Sequence, residues 1–130
     1  METVLIVENE NILRTLYKEE LEDEGYCVLL AKDEGEALDI LKERFPDLVI
    51  TEYQIETTES YTTFLYLASK VRHIPVIIYT GYPYDFIIDY VWNGDVEYLS
   101  KSSNLGDLKN RIKRVLHHTH YDDNLLKILH

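Results

Sequence analysis

The chain has 130 residues and is acidic, with 13 lysines and arginines against 24 aspartates and glutamates for a formal charge of −11. That balance disfavours direct binding to nucleic acid, whose affinity comes from cations neutralising phosphates. At 45% hydrophobic and 28% charged the composition is that of one soluble globular domain, with no window near the roughly 18 apolar residues of a membrane span.

"METVLIVENE" has neither a basic start nor a long apolar region, so no signal peptide is expected. The one cysteine, Cys27, lies in an apolar segment and has no internal partner; a cytoplasmic protein is the consistent expectation. "TVLIV" (3–7) is a β-branched run suited to a buried strand. The helix that follows carries Ile12, Leu13, Leu16, Glu20 and Leu21 at helical spacing and is stopped by Gly25. "YCVLLA" (26–31) is a second strand, and "DEGEALDILKERF" a second helix with Ala37, Leu38 and Leu41 on one face, ended by Pro46. "DLVIT" is the third strand. "ESYTTFLYLASKVR" is a third helix with Phe64, Leu67, Ala68 and Val71 along one stripe. "IPVIIYT" (74–80) is the fourth strand, "YDFIIDYVWN" the fourth helix, stopped by Gly94, and "VEYLS" (96–100) the fifth strand. The fifth helix starts at an Asn104 N-cap and turns Leu105, Leu108, Ile112 and Val115 inward. The eleven tyrosines are scattered along the chain, as surface and strand residues often are.

Strands that are apolar throughout and alternate with helices imply a parallel sheet covered on both faces. Right-handed crossovers then give an α/β, flavodoxin-like, doubly wound sheet of order 2-1-3-4-5. The domain is expected over 1–118, with 119–130 an extension forming a short helix or a tether. Its "DDNLLKILH" stripe suits packing on the domain or on a second chain. "HHTH" (117–120) offers three imidazoles to a metal, although cations at a helix C-terminus explain it sufficiently.

In such sheets ligands bind beyond the carboxyl ends of the strands, where strand order reverses. That rule selects Glu8, Asn9 and Glu10 after strand one, Glu52 after strand three, Thr80 and Gly81 after strand four, and Lys101 after strand five. Without Lys101 or another cation, Glu8 and Glu52 would repel. Taken singly, each is a polar residue capping a solvated edge; jointly they describe a site.

The arrangement resembles the receiver domain of two-component response regulators over about residues 3–116. "VLIVENE" is similar to the first strand and acidic pair of that family, and "EDEGYCVLLAKDEGEAL" to its second strand and helix. "PDLVITE" resembles the strand bearing the phosphoacceptor, "IPVIIYTG" the strand with the switch hydroxyl, and "VEYLSK" the strand with the phosphate-contacting lysine. The resemblance implies a non-enzymatic signalling domain. It places Thr80 on the switch hydroxyl, Tyr98 on the rotating aromatic and Lys101 on the lysine. It also exposes departures. Glu8 and Asn9 stand where the family has two aspartates, and Glu52 replaces the aspartyl phosphoacceptor. Glu56, Ser60 and Ser102 replace a proline, a glycine and a proline. The pattern is that of a degenerate, or pseudo-, receiver.

The family holds magnesium with the acidic pair and the phosphoacceptor. Here Asn9 removes a charge, and Glu8 and Glu52, the candidate ligands that remain, carry their oxygens roughly 1.5 Å further out than aspartate. Misplacement by an ångström costs in-line phosphoryl transfer on the order of a hundredfold. Phosphorylation and a resident magnesium are therefore not expected. The alternative is a functional receiver that accepts phosphate at Glu52 with magnesium, since glutamate can form an acyl phosphate. Glu52 extended toward Lys101 and Thr80 could instead hold Thr80 and Tyr98 in an active-like position without a donor, or form a passive salt bridge. A flavin-binding enzyme on the same sheet order is a third reading, disfavoured because "ENENI" supplies acids and no glycine for a phosphate loop; the missing G-x-G-x-x-G excludes an ordinary dinucleotide site.

The fourth helix is apolar on nearly all sides. Ile87, Ile88 and Val91 suffice to cover the sheet, leaving Phe86, Tyr90 and Trp92 partly outward unless they fold back over the core. The expected partner is thus a protein, or a second copy of the chain, on the face of helix 4, strand 5 and helix 5, with no direct nucleic acid and no membrane.

Overall fold

Five short runs of β-branched residues and leucine form one wholly parallel sheet: β1 Thr3–Val7, β2 Cys27–Ala31, β3 Leu48–Thr51, β4 Val76–Thr80 and β5 Val96–Ser100. The strands lie in the order β2-β1-β3-β4-β5, as the alternating pattern requires. The computed structural model of the chain describes residues 1–52, 59–82, 96–101 and 104–129, with side chains in the last segment through residue 117. Within these lie helices α1 Asn11–Asp23, α2 Glu34–Glu43, α3 Glu59–Tyr66 and α4 Leu105–Leu129. The helix expected over 84–93, with Phe86, Tyr90 and Trp92, lies outside the described residues.

Alternation along the strands divides the core in two. Leu5, Val7, Val49, Val76 and Ile78 meet Ala37 and Leu41 of α2 and Phe64 and Leu65 of α3 on one face. Val4, Ile6, Leu48, Ile50, Ile77 and Tyr79 meet Tyr17 and Leu21 of α1 and Leu108 and Ile112 of α4 on the other. The three inner strands β1, β3 and β4 bury both their faces, which explains runs without polar alternation, while the edge strands β2 and β5 are half-buried.

The helix ends have local causes. Gly25, at φ 96°, closes α1: its N–H donates to Glu22 O at 2.9 Å and that of Tyr26 to Leu21 O at 3.1 Å, the paired bonds of a Schellman cap. Asp33 opens α2 by accepting the Glu36 N–H at 2.8 Å, and Asn104 opens α4 by accepting that of Asp107 at 2.9 Å.

Four expectations change. Ile12 is 83% exposed and Leu16 also faces outward; the buried face of α1 is Tyr17 and Leu21, with Leu13 packed beside them. Tyr17, Tyr26, Tyr61 and Tyr79 are all core residues, so tyrosine supplies interior volume here and does not merely decorate the surface. The third helix widens into a π-turn over Leu67–Val71, with the Arg72 N–H reaching Leu67 O at 3.0 Å. The extra residue rotates Val71 outward and leaves Tyr61, Phe64, Leu65 and Ala68 inside. The fifth helix of the sequence, α4, is one continuous element to Leu129, so residues 119–129 prolong it instead of forming a separate short helix or a tether.

Candidate functional site

The parallel register builds the site. Val7 of β1 pairs with Thr51 of β3, so the next residues, Glu8 and Glu52, leave the sheet side by side where strand order reverses. Ser100 of β5 pairs with Thr80 of β4, and Lys101 follows with its backbone N–H on Thr80 O at 2.8 Å. From β5, the Lys101 ammonium must reach across two interstrand spacings, roughly 10 Å, to β3. Its long stem and the long glutamate arms close that gap.

The result is a three-membered ion cluster. Lys101 Nζ lies 2.7 Å from Glu8 Oε1 and 2.6 Å from Glu52 Oε2. Exposure of the side chains is 4% for Glu8, 20% for Lys101 and 25% for Glu52, so the cluster is largely shielded from water. Burial alone would push the lysine pKa down, but the hydrogen bonds from Glu52 and Glu8 and their charges win, and the ammonium is held well above its ordinary range. The second oxygen of Glu8, Oε2, accepts the Glu10 N–H at 3.2 Å.

Two residues that the strand-end rule does not select brace this cluster. Arg14 donates to Glu8 O at 2.7 Å and to Asn11 Oδ1 at 3.0 Å, clamping the turn from β1 into α1. Its position one turn into a helix that starts at the rim is the signal for it, because helical side chains lean toward the N-terminus. Tyr17 lies below, 6% exposed, with its ring edge-on to Tyr79 at 5.7 Å between centroids. Burial pushes its phenol up to about 12, opposed by the Lys101 ammonium and reinforced by Tyr79, Glu8 and Glu52. The Leu13, Tyr17, Leu21 spacing on the helix is the signal for it, one that hydropathy alone misses.

Of the residues selected from the sequence, Glu8, Glu52 and Lys101 come together in direct contact. Asn9, Glu10 and Gly81 are exposed at the rim. Thr80 is fully buried, and its Oγ1 accepts the Tyr82 N–H at 3.1 Å. Tyr98 is half-buried against the α2–α3 core and donates its hydroxyl to Tyr82 O at 3.0 Å. The two switch-position side chains therefore meet on the backbone of one residue. On the flank, Leu99 of β5 and Asp107, Asn110, Arg111 and Arg114 of α4 line a cleft of about 340 Å³. Arg111 is anchored there to Tyr98 O at 3.2 Å. Of the "HHTH" imidazoles, His117 pairs with Glu2 Oε1 at 3.2 Å; His118 and His120 lie outside the described side chains.

Among the described side chains that the strand-end rule selects, the donors for a magnesium ion are the carboxylates of Glu8 and Glu52, with the amide of Asn9 and the exposed carboxylate of Glu10 at the rim. The carboxylates of Glu8 and Glu52 are bonded to the Lys101 ammonium, and among the described residues no group of three His, Cys, Asp or Glu is placed to hold a metal. Magnesium requires near-octahedral oxygens and gives up its waters reluctantly. As they stand, these residues do not fit it.

The chain is similar to proteins of known kind. The family model described as "Response regulator receiver domain" matches residues 4–113. The polar-differentiation response regulator DivK of Brucella ovis is 29% identical over 117 residues, 88% of this chain and 95% of that protein. The CheY-like receiver domain of Methanospirillum hungatei superposes with a TM-score of 0.78 at 28% identity, over 94% of this chain and 98% of that one. The response regulator TrrA of Thermotoga maritima, solved in complex with Mg²⁺–BeF, superposes with a TM-score of 0.76 at 31% identity, over 89% of this chain and 100% of that one.

Proposed function

The chain belongs to the response regulator receiver domain family, two-component signalling modules and not enzymes, and on that premise we propose that it signals without phosphorylation, through contact with a protein partner. The observation that carries this reading is the double bond of Lys101 to Glu8 and Glu52. Phosphoryl transfer would require a Glu52 oxygen to approach phosphorus in line while the donor's leaving group departs on the opposite side. Glu52 Oε2 is directed instead onto the ammonium, and the negative charge that would attract a metal-bound donor is partly neutralised inside the protein.

The switch positions support the same reading. Thr80 and Tyr98 are already tied to the Tyr82 backbone, and the ring of Tyr98 rests partly on the core. No donor is needed to organise them. The proposed partner face lies on strand β5 and the C-terminal helix, and Phe86, Tyr90 and Trp92 are the anchors the sequence offers for it. In its cleft Arg111 pairs with Glu97 Oε1 at 3.5 Å and Asp107 lies in the same lining as Arg114, so this flank is polar and of mixed charge, which suits a polar protein surface.

The competing reading, a receiver phosphorylated at Glu52 with magnesium, draws on the Mg²⁺–BeF complex of the Thermotoga relative. Mass spectrometry after incubation with acetyl phosphate and magnesium separates the two. The wild type should gain no phosphoryl mass, whereas Glu52→Asp, with its carboxylate drawn back to the family's length, should gain one. A wild-type chain modified at Glu52 overturns the proposal.

A further inference from the structure

The charges at the rim suggest a role for Lys101 beyond contact with phosphate. Glu8 and Glu52 bring two negative charges, Asn9 brings none, and one ammonium sits within hydrogen-bonding distance of both acids. Both oxygens of Glu8 are engaged, Oε1 by Lys101 and Oε2 by the Glu10 N–H. A metal ligated by Glu8 would have to break one of these bonds. It would also have to displace or share space with a cation whose backbone is pinned to Thr80 O at 2.8 Å and whose side chain is 20% exposed. Two like charges at that spacing repel strongly in a shielded site.

We propose that Lys101 is the resident cation of this receiver, standing in electrostatically for a divalent metal, so that the acidic rim is complete without one. The inference rests on the reading of Glu52 as a non-acceptor, but it concerns a different property of the same cluster. It makes the lysine a lock on the metal site: the two glutamates become available to a divalent ion only when the ammonium is removed.

The test is a titration with manganese and magnesium, read by electron paramagnetic resonance of manganese and by the thermal midpoint against an EDTA control. The wild type should bind manganese weakly and show no shift in midpoint. Lys101→Met should bind it about tenfold or more tightly, because the competing cation is gone and the acids remain. Its midpoint should rise with either metal. The double variant Glu8→Gln, Lys101→Met should lose that gain, placing the ion between Glu8 and Glu52. If Lys101→Met is unfolded in EDTA, recovery of its unfolding transition on adding manganese supports the proposal, and failure to recover counts against it. Lys101→Gln, which keeps a polar stem, gives the affinity comparison in that case. Wild-type binding within tenfold of the lysine-free variants, or no binding by those variants, overturns it. Wild-type protein that binds manganese yet takes no phosphate defeats this inference alone. Phosphate on Glu52 without measurable metal binding defeats only the functional reading.

Discussion

Replacing Lys101 by methionine should be disproportionately costly, and its size can be worked out. Two carboxylate oxygens bonded to one nitrogen at 2.7 and 2.6 Å lie at most roughly 5 Å apart, and two unit charges at that distance repel by about 3 kcal/mol at an effective dielectric of 20. Methionine retains most of the apolar stem, so the loss is chiefly electrostatic. It has a ceiling, since holding a proton at pH 7 costs an ordinary glutamate about 4 kcal/mol, and proton uptake by one acid becomes the cheaper escape beyond that. In the presence of EDTA the variant should therefore lose about 3 kcal/mol at pH 7, measured by urea unfolding, and less at pH 5, where protonation relieves the repulsion. The double variant Glu8→Gln, Lys101→Met should recover about 2 kcal/mol of this, because only one charge then remains. A loss below about 1 kcal/mol at pH 7, or one that does not diminish toward pH 5, would refute the argument that the ammonium neutralises a shielded pair.

Tyr17 and Lys101 both hold their protons beyond the pH at which the unfolded chain releases them, so the stability these two groups contribute is constant below about pH 10 and is lost above it. Tyr17→Phe should remove the tyrosine share of that fall, on the order of 1 kcal/mol at pH 11 relative to pH 9 in paired unfolding curves; curves that fall in parallel would contradict it. Gly25→Ala should cost about 1–2 kcal/mol through its φ of 96° alone, because a Cβ there meets nothing within 4 Å. An unchanged urea midpoint would mean the Schellman turn relaxes without penalty.

The sheet was legible because burial on both faces leaves unbroken runs such as "VLIV" and "VIIY", and because parallel pairing with helical crossovers admits few topologies. The rim residues Glu8, Glu52 and Lys101 followed from register, since each is the first residue beyond a strand. What the sequence obscured was tyrosine. Hydropathy treats Tyr17 and Tyr61 as borderline, so the expected stripe of α1 includes Ile12 and Leu16, which face outward, and omits Tyr17, which is buried beside Leu21. The π-turn was equally hidden. One extra residue per turn at Leu67–Val71 has no residue-type signature, yet it moves Val71 from core to solvent. Nor did residue order reveal that the ammonium would bond both acids and not only Glu52.

The departures at the rim are linked through one geometric quantity, the length of the acid side chain. An added methylene carries the Glu52 carboxylate roughly 1.5 Å outward, away from the position an attacking oxygen needs and toward an ammonium that has crossed from β5. The same addition at Glu8 lets a second carboxylate meet that ammonium while its other oxygen accepts the Glu10 N–H. Once both acids are long, a third at position 9 would leave the cluster with two uncompensated charges beside one lysine, and asparagine avoids this. On the proposed reading of Glu52 as a non-acceptor, the longer acids, the asparagine at position 9 and closure over Lys101 are therefore mutually consistent. This is why restoring aspartate at position 52 is expected to act on chemistry and on stability together: it releases one arm of the ion cluster in the same step that returns a carboxylate to attacking distance.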